Sequence, residues 1–297
     1  MNSPGRLLTA MVTPFNSGGD VDYVQASKLA LALIESGSDG IVVVGTTGES
    51  PTLTRDEEKR LFAEIKSAVG DRGSVIAGTG SNSTAEALMT TKEAERAGVD
   101  GCLLVVPYYN KPPQESLYLH FKAIAESTTL PCILYNVPGR TGTNLSAETT
   151  VRLSRIDNII GIKEAGGNLV QIAAIISGAP GDFLVYSGND SDTLPVLAIG
   201  GYGVISVTSH LVGRQMKEMI NSAIEGRPAQ ASRIHRDLLP LFDAMFILAN
   251  PIPIKYALNY IGFPVGQPRP PLTPPDQKSA AIIEDTLSKY QIDLPLA

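Results

Sequence analysis

Ile159-Ile-Gly-Ile-Lys-Glu-Ala165 sets a lysine near the end of a short apolar run rich in β-branched residues. Such a run reads as a buried strand, a setting in which a solvated ammonium has little reason to be. Burial disfavours the charged amine, so the Lys163 pKa should fall toward the range of a nucleophile that forms Schiff bases. The competing reading is a strand-edge lysine whose stem packs while its head reaches water. The place of this strand in the fold decides between them.

Similar runs recur at residues 7–15, 40–45, 74–80, 101–107, 132–138, 183–190 and 202–207, which with 159–165 makes eight expected strands. Between them lie amphipathic stretches of helical length at 22–36, 55–69, 84–97, 114–127 and 169–177. Thr54-Arg-Asp-Glu57 and Ser83-Thr-Ala-Glu86 have the spacing of capping boxes and mark two helix starts. Strand and helix alternating at intervals of roughly 20 to 35 residues is the pattern of a (β/α)8 TIM barrel. The alternative, an open doubly wound sheet, would favour a Gly-rich phosphate turn after its first strand. Met11-Val-Thr-Pro-Phe15 offers none, and Gly78-Thr-Gly-Ser-Asn-Ser83 fails the G-x-G-x-x-G template. From residue 211 onward only helices are expected, at 214–224, 229–248 and 254–261. The chain therefore divides into a catalytic α/β barrel at 1–210 and a C-terminal helical extension at 211–297. The proline-rich stretch 267–275 reads as a rigid connector between helices.

The 297 residues suffice for one large core, and 43% hydrophobic with 18% charged residues is ordinary globular composition. A net charge of −6 supplies no basic field for nucleic acid or an anionic membrane. Residues 193–213 carry no charge, but Pro195, Gly200, Gly201 and Gly203 break any single spanning helix there. Met1-Asn-Ser-Pro-Gly-Arg6 lacks the features of a secretory signal, so a cytoplasmic location is expected. Cys102 and Cys132 each open an apolar run and read as core thiols.

In such barrels the chemistry gathers at the C-terminal ends of the strands. Lys163 ends the sixth. Tyr135 ends the fifth, and strand alternation aims it inward with Ile133. Arg140 follows in Val137-Pro-Gly-Arg-Thr-Gly142, placed to grip a carboxylate. After the second strand, Gly45-Thr-Thr-Gly-Glu-Ser50 can converge backbone N–H groups on an anion and adds the Thr46 and Thr47 hydroxyls; its bland reading is a tight turn with Glu49 bonded to the backbone. Tyr108 and Tyr109, after the fourth strand, fit either catalysis or an oligomer contact. His120, His210 and His235 are scattered without metal-ligand spacing, so neither a metal nor a histidine triad is expected. With no cofactor motif, the Lys163 amine is the electron sink this sequence offers.

Gly45-Thr-Thr-Gly-Glu-Ser50, Pro107-Tyr-Tyr-Asn-Lys-Pro112, Tyr135-Asn-Val-Pro-Gly-Arg-Thr-Gly142, Gly161-Ile-Lys-Glu-Ala165 and Asn250-Pro-Ile-Pro-Ile-Lys255 together resemble the motifs of the dihydrodipicolinate synthase family, in matching order over nearly the whole chain. The resemblance implies condensation of pyruvate with L-aspartate 4-semialdehyde through an imine on Lys163, without a cofactor, in the diaminopimelate route to lysine. It further implies that Tyr135, Thr46 and Tyr109 form a proton relay, with Tyr109 supplied by a neighbouring subunit of a tetramer built from two dimers. The Thr46-Thr47 turn, with Thr47 as a substrate-binding residue, would hold the pyruvate carboxylate and Arg140 that of the semialdehyde, with Gly188 and Ile205 lining the site. Ser50, Asn82, Glu86 and Tyr108 are similar to residues lining a lysine-effector cleft, though Arg55 and Glu58 stand where strongly inhibited members carry histidines. A pyruvate-dependent aldolase or lyase acting on a sugar acid, or a non-catalytic oxo-acid-binding barrel, are the alternative readings.

Overall fold

A computed structural model describes residues 3–296. Eight parallel strands close into a barrel in sequence order. They are β1 (Leu7–Ala10), β2 (Gly40–Val43), β3 (Ser74–Gly78), β4 (Gly101–Val105), β5 (Cys132–Asn136), β6 (Ile159–Glu164), β7 (Leu184–Ser187) and β8 (Gly203–Ser206). Closure is made by β1 pairing β8, with Leu8 opposite Ile205. Every expected strand contains an observed one, and most of the expected runs overshoot at the C-terminal end. The apolar character continues there, but the chain has left the ladder to form the turns that carry the site.

The helices alternate with the strands: α1 (Tyr23–Glu35), α2 (Arg55–Val69), α3 (Thr84–Arg96), α4 (Gln114–Glu126), α5 (Pro138–Thr141), α6 (Ala147–Leu153), α7 (Leu169–Gly178), α8 (Thr193–Ala198) and α9 (Ser209–Ile224). Beyond them follow α10 (Pro228–Ala244), α11 (Ile252–Tyr260) and α12 (Gln277–Leu287). The division expected at residue 210 cuts through α9. That helix bends at Val212 and packs on β1 and α1, completing the outer ring, so the helices outside the barrel begin with α10. The α2 capping box forms as expected between Thr54 and Glu57. At α3 only half of one forms: Ser83 accepts from the Glu86 N–H, while the Glu86 carboxylate goes to Ser81 and Arg55.

Strand alternation splits the core into two shells. Leu8, Val42, Ile76, Leu103, Ile133, Tyr186 and Ile205 fill the barrel, while the opposite faces pack under the helices. Tyr186 donates to the Gly5 carbonyl at 2.9 Å, so the N-terminal segment closes the end of the barrel away from the strand C-termini. Cys102 and Cys132 sit opposite each other on β4 and β5 as free, buried thiols. His210 is wholly buried in a neutral form, its Nδ1–H on the Val207 carbonyl at 2.7 Å and its Nε2 accepting from the Val12 N–H at 3.2 Å. Among the described residues no helix is long and apolar enough to cross a membrane.

Candidate active site

Lys163 and Tyr135 occupy paired positions on adjacent strands, both facing the barrel interior. Lys163 is 4% exposed, which excludes the snorkelling alternative, and its Nζ lies 4.5 Å from the centroid of the Tyr135 ring. Burial lowers the Lys163 pKa to about 8; the Asp190 carboxylate opposes that shift and the Arg140 charge adds to it. Against an ordinary lysine this leaves far more of the amine free at neutral pH. Burial also raises the Tyr135 phenol, against the nearby Arg140 charge and a hydrogen bond with the Thr46 side chain. A tyrosine kept protonated, beside a lysine that is partly neutral, can give and take protons at a reacting carbonyl.

The pH consequence has a definite sign. The neutral amine is the attacking form, so the rate of imine formation should climb as pH rises through about 8 and level off above it. Stopped-time trapping with borohydride across pH 6 to 10 measures this; a rate still rising at roughly pH 10 would show an amine of ordinary pKa.

The turn after β2 is strained. Val44 and Glu49 adopt left-handed backbone conformations with φ of 58° and 59°, and a β-branched residue there is costly by about 1–3 kcal/mol. Gly78 permits it: a Cβ at that position would lie 2.3 Å from the Val44 carbonyl oxygen. The strain is held from several directions. Thr13 Oγ1 donates to the Gly48 carbonyl at 2.7 Å, and Asn250 Nδ2 donates to Thr47 Oγ1 at 2.8 Å. Glu49, expected to bond the backbone, does so by accepting from the Arg269 N–H at 2.8 Å, and it also pairs with buried Lys255 at 2.5 Å. Arg269 in turn grips Glu57 with two nitrogens, pulling that carboxylate down to about 2.

Arg140 lies on α5 directly above β5, exposed at the rim, with Nη2 on the Asn250 carbonyl at 3.1 Å. Gly188 follows β7, where a Cβ would approach Ala165 Cβ to 2.6 Å; Ile205 is buried on β8. Tyr109 stands apart. It is 89% exposed with φ of 76°, outside the buried interior that holds Tyr135. Ser50, Glu86 and Tyr108 do meet, lining a pocket of about 210 Å³ with Arg55 and Glu58, while Asn82 lies beside it, donating to the Tyr108 carbonyl. Arg55 reaches Glu86 at 3.9 Å, and burial pushes Glu58 up to about 7.

Several residues of the site escaped the reading of single motifs. Asp190 is 2% exposed and accepts from the Val207 and Thr208 N–H groups and the Thr208 hydroxyl. Its signal was the same as that of Lys163, a charge closing an apolar run. Arg269, inside the stretch read as a mere connector, was signalled by being its one charged residue.

A buried, partly neutral lysine at the end of a barrel strand, facing a tyrosine and flanked by a hydroxyl turn and an arginine, is the equipment that Schiff-base chemistry of the aldolase type requires. Residues 3–290 match the Dihydrodipicolinate synthetase family, and the chain belongs to it. It is 65% identical over 296 residues to a 4-hydroxy-tetrahydrodipicolinate synthase of Dehalococcoides mccartyi, covering 100% of both chains. It is 56% identical to the 4-hydroxy-tetrahydrodipicolinate synthase of Moorella thermoacetica, over 95% of this chain and 98% of that one. Among solved structures, dihydrodipicolinate synthase from Bacillus anthracis superimposes with a TM-score of 0.96 at 46% identity, covering 98% of this chain and 100% of that one. The enzyme from Cyanidioschyzon merolae with lysine bound gives 0.95 at 49% identity, covering 96% of this chain and 98% of that one.

Proposed function

We propose that this chain condenses pyruvate with L-aspartate 4-semialdehyde to give 4-hydroxy-tetrahydrodipicolinate through an imine on Lys163. The observation that carries the reading is the Lys163 amine itself, buried and depressed to about 8 opposite Tyr135. The amine adds to the pyruvate ketone and water leaves, forming the imine. Loss of a methyl proton then gives an enamine whose carbon attacks the aldehyde, and the new alkoxide takes up a proton. The semialdehyde amine finally displaces Lys163 from the imine carbon, closing the ring and restoring the free lysine. Tyr135 carries the protons, with Thr46 as its hydrogen-bond partner. No cofactor enters the scheme. The synthase names of the full-length relatives favour this reading over a sugar-acid aldolase or a non-catalytic barrel. A coupled assay with both substrates tests it, and absence of turnover with this pair would reject it.

Thr47 is assigned the pyruvate carboxylate and Arg140 that of the semialdehyde. Arg140→Ala should therefore spare the pyruvate adduct and lower kcat/KM for the semialdehyde by about ten- to a hundredfold, the worth of a charged hydrogen bond. An unchanged kcat/KM for the aldehyde would remove Arg140 from that role.

Tyr109 is proposed to reach the relay of a second copy, since its ring is left exposed by its own chain. A dimer is then the smallest complete unit and a pair of dimers the assembly. Mixed Tyr109→Phe and Lys163→Arg proteins should regain activity that neither has alone; no recovery after subunit exchange counts against the role in trans. The pocket at Ser50, Glu86 and Tyr108, with Asn82 beside it, is proposed to admit lysine weakly, because Arg55 already engages the carboxylate meant for the ligand's ammonium. A lysine titration of turnover, repeated on Glu86→Ala, reads this directly, and a flat response in the parent excludes it. A cytoplasmic setting fits the role and is tested by fractionation.

A further inference from the structure

The turn between α10 and α11 touches the site at a point that the reaction scheme leaves unused. Thr47 is 3% exposed and Asn250 7% exposed, and the Asn250 amide donates to the Thr47 hydroxyl at 2.8 Å. A hydroxyl that accepts from an amide keeps its own proton for another acceptor. The Asn250 backbone carbonyl also receives Arg140 Nη2 at 3.1 Å. A single residue thus contacts both groups assigned to substrate carboxylates. It is itself firmly placed: five positions on, Lys255 is 1% exposed, packs its ammonium 3.9 Å from the Phe15 ring centroid and pairs with Glu49 of the same turn.

We propose that Asn250 is a positioning residue that fixes the polarity of the Thr47 hydroxyl, making it a hydrogen-bond donor to the pyruvate carboxylate. The inference rests on the synthase reading given above. The opposite arrangement, with the amide oxygen on Thr47, would consume the hydroxyl proton and leave nothing for an anion. Asn250 Oδ1 has no hydrogen-bond partner among the described residues, so the Nδ2 bond to Thr47 is the side-chain contact that sets the sense of the amide.

Asn250→Asp keeps the shape, replaces the donor with an acceptor and adds a negative charge that repels an anion in either polarity. Its effect therefore counts for the proposal only if the uncharged Asn250→Leu raises pyruvate half-saturation as well. The expected result is a rise of about tenfold or more in the pyruvate concentration that half-saturates the borohydride-trapped adduct, the loss of one hydrogen bond to a charged group, with KM for the semialdehyde nearly unchanged. Pyruvate saturation equal to that of the parent overturns the proposal. Asn250→Leu, measured with Thr47 intact and again with Thr47→Val, separates polarity from mere packing: the cost should vanish once the hydroxyl is gone. An equal cost in both backgrounds overturns the proposal as well. Should the Asn250 variants fail to fold, Thr47→Val alone must raise pyruvate half-saturation by a similar factor, and no rise refutes the donor role. Failure of the parent itself to trap pyruvate strikes at the synthase reading instead, so the two claims fail separately.

Discussion

Lys163→Arg is expected to abolish synthesis, lowering turnover by about three orders of magnitude or more while the barrel stays folded. Arginine keeps the charge but offers no free amine at any working pH, so the imine cannot form. The position is also unforgiving of size, being 4% exposed and 4.5 Å from the Tyr135 ring. Steady-state assays beside a thermal melt check the claim. Activity within about tenfold of the parent, in a folded protein, would take Lys163 out of the chemistry.

Tyr135→Phe is expected to cost about 10²- to 10⁴-fold in turnover, the usual range for loss of a positioned acid–base group. The ring that packs beside Lys163 is kept and only the hydroxyl is lost, so the melting temperature should barely move. The pyruvate adduct should still form, more slowly, because the amine remains. Thr46, as the hydrogen-bond partner of that phenol, should show a smaller loss of the same kind in Thr46→Val. Full turnover in Tyr135→Phe would mean that protons travel by another route.

The architecture was legible because each β-rich run and each amphipathic stretch repeats one unit, and closure follows from repetition. Lys163, Tyr135 and Thr47 were legible for a related reason: a charge or hydroxyl at the end of an apolar strand is visible in one dimension. What stayed hidden depended on contacts across the chain. Nothing near Asn250 announces that its amide meets Thr47, some two hundred residues earlier. In sequence Glu49 reads as bonded to its own turn and Lys255 as part of a motif, and only the fold shows the two paired and buried. The Glu86 carboxylate was read as a helix cap from its spacing, yet Ser81 and Arg55 compete for it and win. Spacing reports which bonds the local chain permits and is silent on partners brought by other elements. The boundary at residue 210 falls inside α9 for the same cause, since the helix after β8 looks like the start of a helical region until it is seen against β1.

The central claim is that the Lys163 amine forms the covalent bond to pyruvate, and mass spectrometry after borohydride reduction tests it most directly. Protein incubated with pyruvate and reduced should gain one pyruvyl-derived group per chain, found on the peptide containing Lys163 and absent from Lys163→Arg. A reduced adduct on another lysine, Lys255 being the other buried amine depressed to about 8, or no adduct in the active parent protein, would contradict the account.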